Sequence, residues 1–133
     1  MIYLDSSFCI YVVEGSAARR PRALAMLQNP PAGGFTISPL VQMECMVIPY
    51  RTADLALENQ YRRLFQLFSV LPMDETVYEQ AARLRAAHVY LRTPDALHWA
   101  AASLAGCTRI WTGDQRLAKL GGGYIVDVFA GLP

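Results

Sequence analysis

Lysine is nearly absent from this chain of 133 residues: arginine supplies every basic side chain except Lys119. Charge of either sign is scarce, at 17% of residues against 53% hydrophobic, and that balance excludes a disordered chain. No apolar run approaches the ~18 to 20 residues of a membrane span, so no membrane association is expected. No basic stretch precedes the apolar start, and Asp5 interrupts it, so no secretory leader is expected. Cysteine is sparse and unpaired in pattern. Cys9, Cys45 and Cys107 lie far apart, form no CxxC and sit among apolar neighbours. That speaks against a disulfide framework and predicts reduced core residues of a cytoplasmic protein. No internal repeat and no low-complexity linker divides the chain. A single domain over residues 1–133 is expected, close to the commonest domain size.

The net charge of +1 selects no partner. Arginine is the better bidentate ligand for phosphate, although a GC-rich codon supply gives the same bias. So apolar a composition also suggests that a partner covers part of the surface.

Short apolar strands alternate with helical patterns. Ile2–Leu4 reads as a buried strand, and "SFCIYVVEG" as a helix stopped at Gly15. "ARRPR" reads as loop, and "RALAMLQN" as a helix ended by Pro30 and Pro31. "GGFTIS" is a strand. Ser38-Pro39 is an N-cap with proline at the first helical position, opening a helix through "LVQMECMVI" that breaks near Pro49. Leu57, Tyr61, Leu64, Phe65 and Phe68 fall at helical spacing. "SVLPM" is a short strand or extended link. Asp74 caps a helix carrying Val77, Ala81, Leu84, His88 and Leu91 on one side. Thr93-Pro94 opens "DALHWAAASLAG", closed by Gly106. "TRIWT" is a strand, Asp114 caps "QRLAKL", and "YIVDV" after "GGG" is the last strand. This order predicts an α/β domain with a mainly parallel sheet, whose ligands bind beyond the carboxyl ends of the strands.

Asp5 follows the first strand and Asp114 follows "TRIWT". Asp95 lies in the first turn of its helix, where the macrodipole favours an anion. Glu44 lies about two turns into the helix opened by Ser38-Pro39. Taken singly, each has a structural explanation as a cap, a first-turn acid or a turn former. Glu44 does not fit that reading, because Met43, Cys45, Met46 and Val47 around it are apolar and a buried carboxylate needs a partner. Four carboxylates on one rim repel, by about 4 kcal/mol for a pair ~4 Å apart at an effective dielectric near 20. No Lys or His at matching positions neutralises all four. A hard divalent cation would, and an all-oxygen donor set suits Mg²⁺ or Mn²⁺. Such an ion can activate water against a phosphodiester. Ser6, Ser7 and Thr112 supply hydroxyls to orient carboxylates or water.

"MIYLDSS", "ISPLVQMEC", "LRTPDALHWAAA" and "IWTGDQRL" resemble, in order, the four acidic motifs of PIN-domain ribonucleases, most closely the VapC-type toxins of bacterial toxin–antitoxin pairs. The resemblance spans almost the whole chain. It implies a three-layer α/β/α fold with a five-stranded parallel sheet. It also implies a Mg²⁺- or Mn²⁺-dependent endoribonuclease acting on structured RNA such as tRNA or ribosomal RNA. By position, Asp5, Glu44, Asp95 and Asp114 match the family's metal-binding catalytic acids, and Ser6 and Thr112 its supporting hydroxyls. A homodimer silenced by a cognate antitoxin is implied as well. The chain departs from the pattern at Ser7, often Asn, at Gly113, commonly polar, and at Arg116, often a further acid.

Without the four site acids, 7 acids remain against 12 bases. Arg92, three residues before Asp95, is the foremost candidate for contact with RNA phosphates, followed by Arg19 and Arg20, with Arg22 and Arg51 also considered. His98 lies three residues after Asp95, a possible ligand spacing, but its alanine-rich surroundings predict structural packing. His88 is expected in the core or at its rim, and Tyr61, Phe65 and Phe68 in the core or a dimer interface. Gly121–Gly123 lacks the following helix and Lys of a phosphate cradle. Three rivals stand beside the ribonuclease: an Asp5-dependent phosphatase or receiver, a non-catalytic PIN-like module binding RNA or protein, and a nuclease acting on DNA.

Overall fold

Strands run through Ile2–Leu4 (β1), Phe35–Ile37 (β2), Ser69–Val70 (β3), Arg109–Thr112 (β4) and Ile125–Asp127 (β5) in a computed structural model that describes residues 1–133. Helices α1 (Ser6–Glu14) and α2 (Arg19–Leu27) link β1 to β2, and α3 (Pro39–Arg51) and α4 (Leu55–Phe65) link β2 to β3. Helices α5 (Glu75–Ala87) and α6 (Thr93–Leu104) lead to β4, and α7 (Gln115–Leu120) to β5. The sheet order is β3-β2-β1-β4-β5, and every pairing is parallel. The fold is a three-layer α/β/α arrangement, as the alternation of apolar strands and helices requires.

β1 is central and all three of its residues are buried, which explains its unbroken apolar run. The chain moves from β1 to one edge of the sheet, then crosses to β4 on β1's other side. The carboxyl ends of β1 and β4 therefore flank the switch point where parallel sheets place their ligands. Leu4 is in register with Trp111, and the Asp5 amide donates to the Trp111 carbonyl (3.1 Å), so Asp5 and Thr112 leave the sheet side by side.

Several elements differ from their expected bounds. α2 begins at Arg19, because Ser16 Oγ accepts from the Arg19 amide (3.2 Å) and Pro21 fits a first turn that needs no N–H partner; "ARRPR" is thus largely helix. α3 passes through Pro49 to Arg51. Proline's fixed φ is helical, and close to the helix end it removes only one hydrogen bond. Thr52 restores that end by donating from its amide (3.0 Å) and its hydroxyl (2.8 Å) to the Ile48 carbonyl. α4 ends at Phe65, so Phe68 lies past the helix and packs edge-on against Phe35. α5 ends at Ala87, so His88 and Leu91 belong to the turn into α6, where Leu91 is still buried. Ser38 occupies the N-cap position of α3 but makes no capping bond. Gly106 follows α6 with φ 76°, the left-handed conformation that ends helices.

The apolar core is one contiguous cluster running from Ile2 to Phe129. Cys9, Cys45 and Cys107 are buried and free, and Tyr61 is core. His88 is half-buried against Trp99, with ring centroids 5.0 Å apart. No helix is long and apolar enough to cross a membrane.

Candidate active site

Asp5 serves two roles at the end of β1. Its Oδ1 accepts from the Phe8 amide (3.0 Å), capping α1, and from Ser7 Oγ (2.6 Å); its Oδ2 accepts from Thr112 Oγ1 (2.6 Å). The residue is only 4% exposed. Burial is the largest influence on its carboxyl and raises its pKa. The charge of His98 and the bonds from Ser7, Thr112 and Phe8 oppose that rise without cancelling it.

Thr112, buried at the end of β4, joins two of the acids. Its Oγ1 donates to Asp5 and accepts from the Asp114 amide (2.9 Å). Ser7 Oγ likewise accepts from the Gly113 amide (2.8 Å). The hydroxyls that support Asp5 are therefore Ser7 and Thr112, while Ser6 Oγ serves Glu44 Oε1 (3.1 Å). Gly113 also has a packing reason. A Cβ there would lie 2.3 Å from a ring carbon of Tyr11.

Glu44 has a cationic or donor partner that the spacing argument discounted. His98 Nε2 lies 2.5 Å from Glu44 Oε1, and His98 Nδ1 lies 2.7 Å from the Tyr3 hydroxyl. Tyr3 in turn meets Ser38 Oγ at 2.7 Å, which is why Ser38 does not cap α3. A carboxylate has only lone pairs to offer, so Nε2 carries a proton toward Glu44. Burial alone would raise the Glu44 carboxyl; the His98 hydrogen bond, its charge and Ser6 outweigh that and hold the pKa below the ordinary value. Burial pushes the Tyr3 phenol well above its ordinary value, so it stays protonated. His98 does pack in the core, as its surroundings suggest, and it also reaches the site acid. The flanking apolar residues are not all buried: Met43 and Val47 are exposed, Cys45 and Met46 are not.

Asp95 and Asp114 share a second basic group. Arg116 Nη2 donates to Asp95 Oδ2 (2.7 Å) and Asp114 Oδ2 (3.3 Å), while Asp114 Oδ1 accepts from the Leu117 amide (3.1 Å) and caps α7. No Lys or His neutralises all four acids, but basic side chains do meet three of them. His98 serves one and Arg116 serves two. Neither was legible from spacing, because both contacts cross between elements distant in sequence or depend on where a side chain turns.

The four acids are linked through Thr112, Arg116 and the consecutive Ser6 and Ser7, but no three His, Cys, Asp or Glu side chains stand close enough together to hold one metal ion. The donor chemistry still fits a hard cation. It consists of carboxylate and hydroxyl oxygens, and the Asp95–Asp114 pair already shares one cationic nitrogen. Among the candidate phosphate contacts, Arg19 is committed elsewhere. Its guanidinium bonds Tyr11 Oη (2.7 Å) and the Pro133 carbonyl (3.3 Å) and stacks over the Tyr11 ring at 4.8 Å. Arg22 binds the Val128 carbonyl (3.1 Å). Arg20, Arg51 and Arg92 are exposed, Arg92 at the entry to α6 beside Asp95.

The sequence matches the PIN domain family model over residues 2–123. The chain belongs to the PIN domain family. Its fold recurs in a toxin–antitoxin complex from Klebsiella pneumoniae (23% identity, TM-score 0.71, covering 100% of this chain and 93% of that one). It recurs in VapC20 of Mycobacterium tuberculosis, described as a sarcin-ricin loop cleaving toxin (20% identity, TM-score 0.77, covering 96% and 98%). FitAcB from Neisseria gonorrhoeae is similar too (18% identity, TM-score 0.77, covering 98% and 99%). No curated protein matches at a significant level. At these identities the likeness is one of fold.

Proposed function

We propose that this single PIN domain is a cytoplasmic endoribonuclease toxin, dependent on Mg²⁺ or Mn²⁺. It would cut structured RNA such as tRNA or ribosomal RNA, and a cognate antitoxin would silence it. The observation that carries this reading is the linked set Asp5–Thr112–Asp114–Arg116–Asp95 at the carboxyl ends of β1 and β4. A carboxylate-rich rim beside a sheet switch point suits phosphodiester hydrolysis. The description of VapC20 as a sarcin-ricin loop cleaving toxin supports this reading.

Asp95 and Asp114, on the solvent side of the set, would hold the cation, with Glu44 and the buried Asp5 completing its surroundings. When bound, the ion supplies Lewis acidity and an activated water. The chain's own residues prepare the place. Thr112 ties the positions of Asp5 and Asp114 together. Ser6 and His98 keep Glu44 ionised and oriented. Arg92 and Arg20 are free to meet RNA phosphates. The exposed apolar Met43, Val47, Ile48 and Tyr50 on α3 offer surface for a second copy or for the antitoxin, consistent with the resemblance to complexes of that kind.

A phosphatase using Asp5 is disfavoured. Both oxygens of a 4% exposed carboxylate are held by donors and neither is presented to a substrate. The deciding experiment sequences new RNA 5′ ends after brief induction in a host lacking the antitoxin. New ends at a defined RNA, together with growth arrest, are expected. Unimpaired growth with abundant soluble protein and no new ends overturns the reading.

A further inference from the structure

We propose that Arg116 is an exchangeable internal cation: it occupies the Asp95–Asp114 pair when no metal is bound and must yield that pair to a divalent ion. The inference rests on the metal-dependent reading above and adds a control on metal loading supplied by the chain itself.

One nitrogen, Arg116 Nη2, contacts an oxygen of each acid, at 2.7 Å on Asp95 and 3.3 Å on Asp114. Arg116 is also the only Lys or Arg paired with either acid. A divalent ion drawing on those two oxygens competes with the guanidinium for their lone pairs and is repelled by its charge. Arg116 is able to leave. Its side chain is 35% exposed, and its remaining contact is a long one to the Tyr90 carbonyl (3.4 Å) in the turn before α6. The acids are able to stay. Asp114 Oδ1 is held by the Leu117 amide, and Asp95 is fixed in the first turn of α6. A part-exposed base between an acid capped by backbone and an acid in the first turn of a helix is an arrangement suited to exchange.

The test measures Mn²⁺ binding directly, by calorimetry or by paramagnetic resonance of the free ion, on folded protein without RNA. Removing the competitor by Arg116→Gln is expected to tighten Mn²⁺ binding by about tenfold or more. Arg116→Lys keeps a competing charge and is expected to stay near wild type. If wild type binds Mn²⁺ and Arg116→Gln binds no tighter, the exchange proposal falls and the metal-dependent reading stands. If neither wild type nor Arg116→Gln binds Mn²⁺ at millimolar concentration, both fall. A second measurement needs no variant: the Arg116 Nε–H resonance in wild type should shift on titration with Mg²⁺. A resonance unmoved at saturating Mg²⁺ overturns the proposal.

Discussion

The Tyr3 hydroxyl and His98 Nδ1 stand 2.7 Å apart in the core, and the opposite nitrogen of the same ring meets Glu44. Through this ring a residue of the central strand is joined to a carboxylate of α3 at the candidate site. Ser38, Tyr3, His98, Glu44 and Ser6 form one hydrogen-bonded chain, and no buried side-chain nitrogen or oxygen in the molecule lacks a partner.

Tyr3→Phe keeps the ring and deletes one hydroxyl, leaving Ser38 and His98 each short of a buried partner. The expected cost is about 1–3 kcal/mol of stability, read as a lower urea midpoint with unchanged far-UV dichroism. A variant as stable as wild type would show that the chain carries no energetic weight.

Removing the imidazole by His98→Gln should raise the Glu44 pKa, measured by carboxyl-carbon NMR titration. The sign for stability follows from the direction of the shift. Glu44 has a folded pKa below its ordinary 4.5. Its contribution is therefore full above 4.5 and is lost as pH falls through the folded value. Asp5 behaves in the opposite sense. Its folded pKa lies above 3.8, so its ionised form costs stability at neutral pH, and the cost fades as acid protonates it. An unmoved Glu44 titration in His98→Gln would contradict the pairing.

Asp5→Asn removes that buried charge and keeps the shape. The melting temperature should stay level or rise while RNA cleavage drops by at least about a hundredfold. Asp95→Asn should abolish cleavage with the fold intact. EDTA should stop wild-type cleavage, and Mg²⁺ or Mn²⁺ should restore it. Full activity in either purified variant would remove these acids from the site.

Gly113→Ala places a methyl 2.3 Å from the Tyr11 ring. The ring must move, and Arg19, which bonds and stacks on it, moves too. Overpacking of this kind costs about 1–3 kcal/mol, measurable as a lower thermal midpoint. Since Gly113 adjoins Thr112, cleavage should fall as well. A melting curve identical to wild type would mean that this contact is readily relieved.

Much of the molecule was legible in one dimension, because local rules govern it. Short, largely apolar runs bounded by turns mark β1, β2 and β5, and Asp74 and Asp114 start helices and Gly106 ends one by capping chemistry that acts within four residues. The alternation of strands and helices determined a parallel α/β sheet, and with it the placement of Asp5 and Asp114 beyond strand ends. The residue types alone singled out Asp5, Glu44, Asp95 and Asp114 as candidate acids, and the structure joins them through hydroxyls and Arg116. The bounds of α3 and α5 were less legible: Pro49 lowers helix propensity without forbidding a helix near its end, and the turn holding Leu91 keeps apolar spacing by packing.

Tertiary structure alone decided how the acids are compensated. Ser38 reads as a cap, yet its hydroxyl faces Tyr3; His98 reads as core, yet its ring spans from Tyr3 to Glu44; Arg116 lies two residues from Asp114, yet it also reaches Asp95 on another helix. Each is a contact between side chains brought together by the sheet order. Desolvation and hydrogen bonding act through space, so spacing along the chain could name these groups but not pair them.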